Sequence, residues 1–331
     1  MNKLYLLILS LFSLCVNAQN QGDIEHYFMQ TFNNSNAVVA PSARVSVSRL
    51  SAKRALVWQA WCKANKAAAY HLPATDSLGS TTDKWLLPDT LEPHAVMPFY
   101  YGSKGSKPEA GYPLYVYLHG SGPKQQEWQT GLILAKRFAD APSLYFIPQI
   151  PNEGEWYRWW QRSKQVAWSN LLREAMLSPD VNPNRLYVFG ISEGGYGSQR
   201  LASFYADYWA AAGPMAGGEP LKNAPVENLE NIGFSFRTGA NDAGFYRNRL
   251  TGYTKEALDS MEIEDDFAGD DDILPASDTK LNSYPDASIL STIQSPHRGC
   301  RILHEIHTPS ILYGRILKWT ACIVRVFTIL R

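Results

Sequence analysis

The sequence has no excess of charge of either sign. Its 331 residues include 31 Lys and Arg and 31 Asp and Glu, so the net charge is +0 with histidine neutral. Without a charge bias, the chain has no general attraction for the phosphates of nucleic acids or for anionic lipids. We therefore expect no nucleic-acid partner.

Cysteine is also scarce. The chain contains Cys15, Cys62, Cys300 and Cys322, a set too sparse for a disulfide framework. These cysteines do not have the spacing of metal ligands, so they predict no metal site.

The apolar run near the N-terminus is too short to be a transmembrane helix. It extends from Leu4 to Val16, well under the roughly 20 residues that a helix needs to cross a bilayer. Lys3 precedes the run, and Asn17 and Ala18 follow it, as in a secretory signal peptide. We predict that residues 1–18 are a signal peptide, that the protein is exported to the periplasm or the cell exterior, and that it has no membrane contact after cleavage.

Short apolar runs alternate with helical stretches in the middle of the chain, and no internal repeat is present. The predicted strands are residues 94–101, 114–118, 144–147, 185–189, 210–213 and 234–237. The predicted helices are residues 55–69, 130–138, 165–176 and 195–208. This alternation predicts an α/β fold with a mostly parallel central sheet flanked by helices.

The same pattern suggests a division of the chain into segments. We predict an N-terminal extension at residues 19–100 and an α/β core at residues 101–262. The acidic stretch 262–272 is expected to be a loop. Residues 263–331 form a C-terminal segment whose pattern does not match the core.

A serine stands in the sequence Gly190-Ile191-Ser192-Glu193-Gly194, which fits the G-x-S-x-G pattern. The five letters alone are a weak signal, but they follow a predicted strand directly and precede a predicted helix, as a nucleophile elbow requires. The glycines allow the sharp turn because they have no Cβ atoms to collide with the strand or the helix. We predict Ser192 as the catalytic nucleophile.

A glycine-containing loop, His119-Gly120-Ser121-Gly122, follows the strand predicted at 114–118. Acyl transfer needs donors for the developing oxyanion, and rigid backbone N–H groups supply them well. We expect the N–H of Glu193 to act with that of Gly120 or Ser121. His119 precedes the serine, so we expect it to orient this loop rather than to act as the base.

The remaining triad members should follow the serine in the order acid, then histidine. Asp242 follows the strand predicted at 234–237, and we predict it as the acid, with a turn-forming role as the alternative. The histidines after it are His297, His304 and His307. We select His297 as the base because it lies in a predicted loop.

A tryptophan-rich segment, residues 156–160, lies between the strands predicted at 144–147 and 185–189. Loops that leave a parallel sheet often line binding sites. Trp156, Trp159 and Trp160 are therefore candidates for the substrate pocket. A hydrophobic plug between this loop and the next helix is the equal alternative.

From about Tyr101 to Arg249 the chain resembles secreted α/β-hydrolase esterases of the group that includes poly(3-hydroxybutyrate) depolymerase-like and feruloyl-esterase-like proteins. The resemblance depends on the segments 118–122, 182–195 and 237–242. It implies an α/β-hydrolase fold, Ser192 and Asp242 as triad members, and no metal or organic cofactor. It does not imply a substrate class, since ester, peptide and polyester hydrolases share these motifs.

Beyond about Glu262 the chain departs from this group, whose members have a late histidine in a Gly-rich loop, followed by a tail that contains Pro and Trp. A shifted reading frame over Glu305–Trp319 can spell NPHPKYIIWEDFK, which is closer to such a tail. We hypothesise a frameshift. If it is present, this product lacks a proper base histidine and is inactive; if the frame is native, His297 remains the candidate base. Resequencing the DNA over this stretch tests the hypothesis, and an uninterrupted frame as given would refute it.

The sequence therefore predicts an exported serine hydrolase whose substrate is a small-molecule ester or an ester on a plant or dietary polysaccharide. A peptidase of the prolyl-oligopeptidase kind is one alternative, although the N-terminal residues do not show the repeated blades of a β-propeller. A non-catalytic relative that binds glycan or protein is the other.

Overall fold

The computed structural model describes residues 21–32, 45–66, 70–230, 232–239, 241–268, 281–284 and 287–291. The predicted signal peptide lies outside them. The described residues belong to two compact units, which meet in sequence between His71 and Leu72. No helix in these ranges combines the length and apolar character needed to cross a membrane.

The N-terminal unit is a pair of helices, α1 (Gln21–Phe32) and α2 (Leu50–Asn65). Helix α1 buries Ile24, Tyr27 and Phe28, whose spacing places them on one helical face. They pack on a face of α2 that includes the small residues Ala60 and Ala64. Helix α2 corresponds to the helix predicted at 55–69 but begins and ends earlier, and the sequence analysis did not predict α1.

The second unit is a seven-stranded sheet with helices between its parallel strands. Its strands are β1 (Thr82–Leu86), β2 (Val96–Lys104), β3 (Tyr112–Leu118), β4 (Ser143–Pro148), β5 (Val181–Ile191), β6 (Ala211–Met215) and β7 (Gly233–Phe234). Its helices are α3 (Lys124–Arg137), α4 (Arg162–Leu177), α5 (Glu193–Phe204) and α6 (Arg247–Ala268). Two further short strands, β8 (Leu281–Tyr284) and β9 (Ala287–Ser291), pair with each other.

The order of strands in the sheet is β1-β2-β4-β3-β5-β6-β7. Strands β1, β2 and β4 pair antiparallel, whereas β4, β3, β5, β6 and β7 are mutually parallel. The chain runs outward from β3 to β4 and then crosses back to β5, so β3 and β5 flank a switch point of the topology. Ligand sites of open α/β sheets lie beyond the carboxyl ends of such strands.

The structure extends the sheet beyond the core predicted at residues 101–262. Strands β1 and β2 begin at Thr82 and Val96, so part of the predicted N-terminal extension belongs to the sheet. Strand β1 buries one residue of its five, Trp85, which explains why no apolar pattern revealed it. The prediction of a loop at 262–272 is wrong for its first residues, because α6 continues to Ala268.

The centre of the sheet is nearly all apolar. Every residue of β4 is buried, as expected for a strand covered on both faces. Leu118 at the end of β3 lies opposite Gly190 near the end of β5, so the loops that follow these two strands begin side by side. Both predicted motifs, residues 119–122 and residues 190–194, leave the sheet at this edge.

Candidate active site

The turn after β5 holds Ser192 in a conformation that L-residues rarely adopt, with φ 54° and ψ −116°. Such backbone strain costs about 1–3 kcal/mol and persists only where neighbouring contacts impose it. Here the Ser192 N–H donates to the carbonyl of Met215 at 2.9 Å, and the Ser192 carbonyl accepts from the N–H of Tyr196 at 3.0 Å. These two backbone hydrogen bonds therefore hold the turn that places the Ser192 hydroxyl at the edge of the sheet.

The glycines of this turn are required by close backbone approach. A Cβ at Gly194 would lie 1.9 Å from the carbonyl oxygen of Leu118, and one at Gly190 would lie 2.5 Å from the same oxygen. No side chain fits at either position without separating β3 from the turn. A strained serine between strand and helix, at the switch point of this sheet, identifies the architecture. The chain has the α/β-hydrolase fold.

Comparison with known proteins finds solved structures of low similarity. The sequence matches no protein-family model and no curated protein. A thermostable esterase has a TM-score of 0.43 and 22% identity, over 54% of this chain and 52% of the esterase. A ferulic acid esterase has a TM-score of 0.41 and 14% identity, over 56% of this chain and 86% of that one.

Prolyl oligopeptidase B from Galerina marginata has a TM-score of 0.37 and 12% identity, over 56% of this chain and 31% of that protein. The chain spans about half the length of the thermostable esterase. Scores this low carry no information about the substrate or the reaction of this chain.

The loop after β3 lies directly beside Ser192. A Cβ at Gly120 would be 3.5 Å from the Cβ of Ser192. Within the described chain, the N–H groups of Gly120, Ser121 and Glu193 donate to no protein acceptor. The Glu193 N–H is also the first of α5, where the helix dipole favours negative charge. The three predicted oxyanion donors are thus close to Ser192 and available to a ligand.

His119 is buried beneath this loop. The N–H of Ile150 donates to its Nε2 at 3.1 Å, so Nε2 is the unprotonated nitrogen and Nδ1 donates to the Gly120 carbonyl at 2.8 Å. Burial lowers the pKa of His119 to about 4. A neutral imidazole with both nitrogens engaged supports the loop and is not available as a base.

The structure brings Asp242 near Ser192, although the two do not touch. Arg237 bridges to Met215 in a short parallel pairing, which carries the following loop to the end of β6. The guanidinium of Arg247 then spans the gap between the two predicted triad members. Its Nη1 donates to Asp242 Oδ1 at 3.1 Å, and its Nη2 donates to Ser192 Oγ at 3.4 Å.

The predicted base, His297, lies outside the described residues, as do His304 and His307. Among the described residues, Arg247 is the one side chain that hydrogen-bonds to Ser192 Oγ. A guanidinium donates but does not accept protons, so Arg247 cannot act as the base. Nothing in the sequence pattern indicated that Arg247 would contact Ser192. Arg247 is the first residue of α6, and this position brings its guanidinium to the Ser192 hydroxyl.

Glu193 is buried beside Ser192, and the charge of its carboxylate is only partly compensated. The Arg158 guanidinium approaches Glu193 Oε2 at 3.5 Å, while Oε1 has no hydrogen-bond partner among the described residues. Glu219, nearby, pairs with Arg200 at 2.7 Å. Burial is the main reason that the pKa of Glu193 rises from its usual 4.5 to about 7, against the opposing attraction of Arg158.

This raised pKa predicts a pH-dependent stability. The folded state holds the Glu193 proton more tightly than the unfolded state, so the free energy of unfolding falls as pH rises from about 4.5 to about 7. Over this whole interval the free energy of unfolding is expected to fall by about 3 kcal/mol. We expect Glu193→Gln to remove this decline, as measured by urea unfolding of both proteins at pH values across that interval. Parallel pH profiles for the two proteins would contradict it.

The three tryptophans predicted for the substrate pocket lie in different environments. Trp159 is completely buried against Trp168 and His119, so for this residue the pocket prediction is wrong and the plug alternative describes it. Trp156 and Trp160 are half-buried. The Trp160 ring stacks with the Arg200 guanidinium at 4.1 Å, and Lys164 Nζ lies 5.8 Å from the Trp156 ring.

Proposed function

We propose that this α/β-hydrolase cleaves carboxylic esters with Ser192 as its nucleophile. The observation that carries the proposal is the strained Ser192 turn, with the unpaired N–H groups of Gly120, Ser121 and Glu193 beside it. A hydroxyl held next to backbone N–H groups that no described acceptor occupies suits attack on a carbonyl whose oxygen becomes negative. Neither a glycan-binding surface nor a structural turn requires this combination.

In this mechanism Ser192 Oγ attacks the ester carbonyl while a histidine takes its proton. The carbonyl oxygen becomes an oxyanion held by the backbone donors, and the histidine then returns the proton to the departing alcohol. Water attacks the acyl-enzyme in the same way and releases the acid. We assign the base to His297 and its orientation to Asp242, which requires that Arg247 vacate the space between Ser192 and Asp242.

For the substrate we propose a carboxylic ester carried by a plant or dietary polysaccharide, such as the ester of a phenolic acid. The half-buried rings of Trp156 and Trp160 lie on the loop that follows β4, at the same sheet edge as Ser192. Aromatic surfaces of this kind bind sugar rings and phenolic acids through their faces. The predicted export of the protein agrees with a polymeric substrate outside the cell.

A panel of substrates tests the class of reaction. We expect turnover of p-nitrophenyl acetate and methyl ferulate, and a kcat/KM at least tenfold lower for a prolyl p-nitroanilide peptide. Preference for the peptide would favour the prolyl-oligopeptidase alternative. That alternative gains no support from the N-terminal unit, since its described residues form two helices and a 3-10 turn.

One observation favours the non-catalytic alternative. Arg247 fills the gap between Ser192 and Asp242 and pairs with both. A chain that kept this arrangement permanently would bind ligands at the oxyanion donors without hydrolysing them. A fluorophosphonate probe separates the two functions, because it reacts with an activated serine and leaves an unactivated one unmodified.

A further inference from the structure

The loop after β4 reaches beneath the oxyanion donors with two aromatic hydrogen-bond donors. The Tyr157 hydroxyl donates to the carbonyl of Gly120 at 2.7 Å and lies 3.0 Å from that of Gly122. The Trp159 indole N–H donates to the carbonyl of His119 at 3.0 Å. Two side chains of the loop after β4 thus hold the consecutive carbonyls of His119 and Gly120 by hydrogen bonds.

Holding these carbonyls also fixes the N–H groups on the other side of the same peptide units. A trans peptide is planar, and its C=O and N–H point in opposite directions. The cis peptide recorded in the structure is at Ala141-Pro142, so the units 119–120 and 120–121 are trans. With the His119 and Gly120 carbonyls turned toward the interior, the N–H groups of Gly120 and Ser121 turn away from it.

Trp159 is itself immobilised by its surroundings. It is completely buried, and a Cβ at Gly197 would lie 2.6 Å from the Trp159 Cβ, so helix α5 packs directly on it. The Trp168 indole N–H donates to the Trp159 carbonyl at 2.7 Å. Because α5 also begins at the nucleophile turn, Trp159 connects the two halves of the oxyanion site.

A buried ion pair also holds this loop in place. Lys164 and Glu92 are fully buried and bonded to each other, and Lys164 also donates to the carbonyl of Trp156 at 2.9 Å. Asn152 donates to Glu92 Oε1 at 3.1 Å. A charge pair with these extra hydrogen bonds restrains the part of the loop that precedes Tyr157.

We propose that Tyr157 and Trp159 are positioning residues that aim the backbone donors of Gly120 and Ser121 at the oxyanion. This proposal rests on the proposed ester hydrolysis, since it names how that site is preorganised. Both side chains are buried, so they would act through the loop and not by touching the substrate. The loss of their hydrogen bonds should therefore affect the transition state, in which the oxyanion exists, more than the bound substrate.

The test replaces Tyr157 by phenylalanine, which keeps the ring and removes the hydroxyl. We expect kcat to fall by about tenfold or more, with KM changed less than twofold, since losing one complete oxyanion donor costs about 10²–10³. Tyr112→Phe is the matched control, because it also removes a hydroxyl that donates to a backbone carbonyl. The Tyr112 hydroxyl donates to the carbonyl of Gly105 at 3.0 Å, and Tyr112 lies at the start of β3, away from the oxyanion loop at residues 119–122. The control is expected to keep its kcat.

A second measurement does not depend on turnover. In the double variant Tyr157→Phe with Trp159→Phe, we expect the NMR amide signals of residues 120–122 to broaden or multiply relative to the wild type and Tyr112→Phe. Sharp, unshifted signals in the double variant, or an unchanged kcat in Tyr157→Phe, would overturn the proposal. If the wild type hydrolyses no ester but these signals still broaden, the proposed reaction fails while the positioning role stands.

Discussion

Replacing Ser192 by alanine is expected to reduce ester hydrolysis to the background rate. Removing the nucleophile of a serine hydrolase costs about 10⁶-fold in kcat, because the remaining groups do not form an acyl-enzyme. The fold should tolerate the change, since the turn is fixed by the backbone of Ser192 rather than by its side chain. The measurement is the initial rate with p-nitrophenyl acetate, alongside the thermal midpoint.

Ser80→Ala is the matched control for this variant. Its hydroxyl donates to the carbonyl of Ser77 in an exposed turn outside the active site, so it should keep the wild-type rate. Hydrolysis by Ser192→Ala within tenfold of the wild type, with both proteins folded, would show that the activity comes from another group.

The second large effect concerns the gap between Ser192 and Asp242. In the double variant Arg247→Ala with His297→Ala, both the guanidinium that spans this gap and the proposed base are removed. We expect very slow hydrolysis that added imidazole restores by at least tenfold, because a general base contributes about 10²–10⁴. The physical reason is that free imidazole can accept the Ser192 proton while its other nitrogen donates to Asp242.

The control adds Asp242→Asn to the double variant. Without the carboxylate, bound imidazole is neither oriented nor stabilised as a cation, so the rescue should shrink substantially. Equal rescue with and without Asp242 would show that imidazole acts from solution, and the assignment of Asp242 would then be wrong. No rescue in either protein would contradict a base site in this gap.

The sequence predicted the fold where physical signals are local. Strands β3 and β4 have apolar runs because both of their faces are covered, and the turn at Ser192 requires glycines that are visible in the sequence. The sequence analysis expected residues 119–122 to carry oxyanion donors, and the pairing of β3 with β5 places this loop beside Ser192. Strand β1 escaped prediction because it is an edge strand with a single buried residue.

The site itself was less predictable, because its details depend on contacts between distant segments. Arg247 carries no motif, and its contact with Ser192 arises from the loop that Arg237 attaches to β6. Trp159 belongs to a cluster that suggested a pocket, yet its burial follows from packing against Gly197, which has no side chain. The raised pKa of Glu193 depends on burial, which the pattern after Ser192 does not reveal.

The most direct test of the central claim is to find which residue a fluorophosphonate modifies. Trypsin should release the peptide from Leu186 to Arg200, which contains Ser192 and Ser198. Ser198 is completely buried and donates to the carbonyl of Gly195, so the adduct is predicted on Ser192. An adduct on another residue, or none on the folded protein, would contradict the assignment of Ser192 as an activated nucleophile.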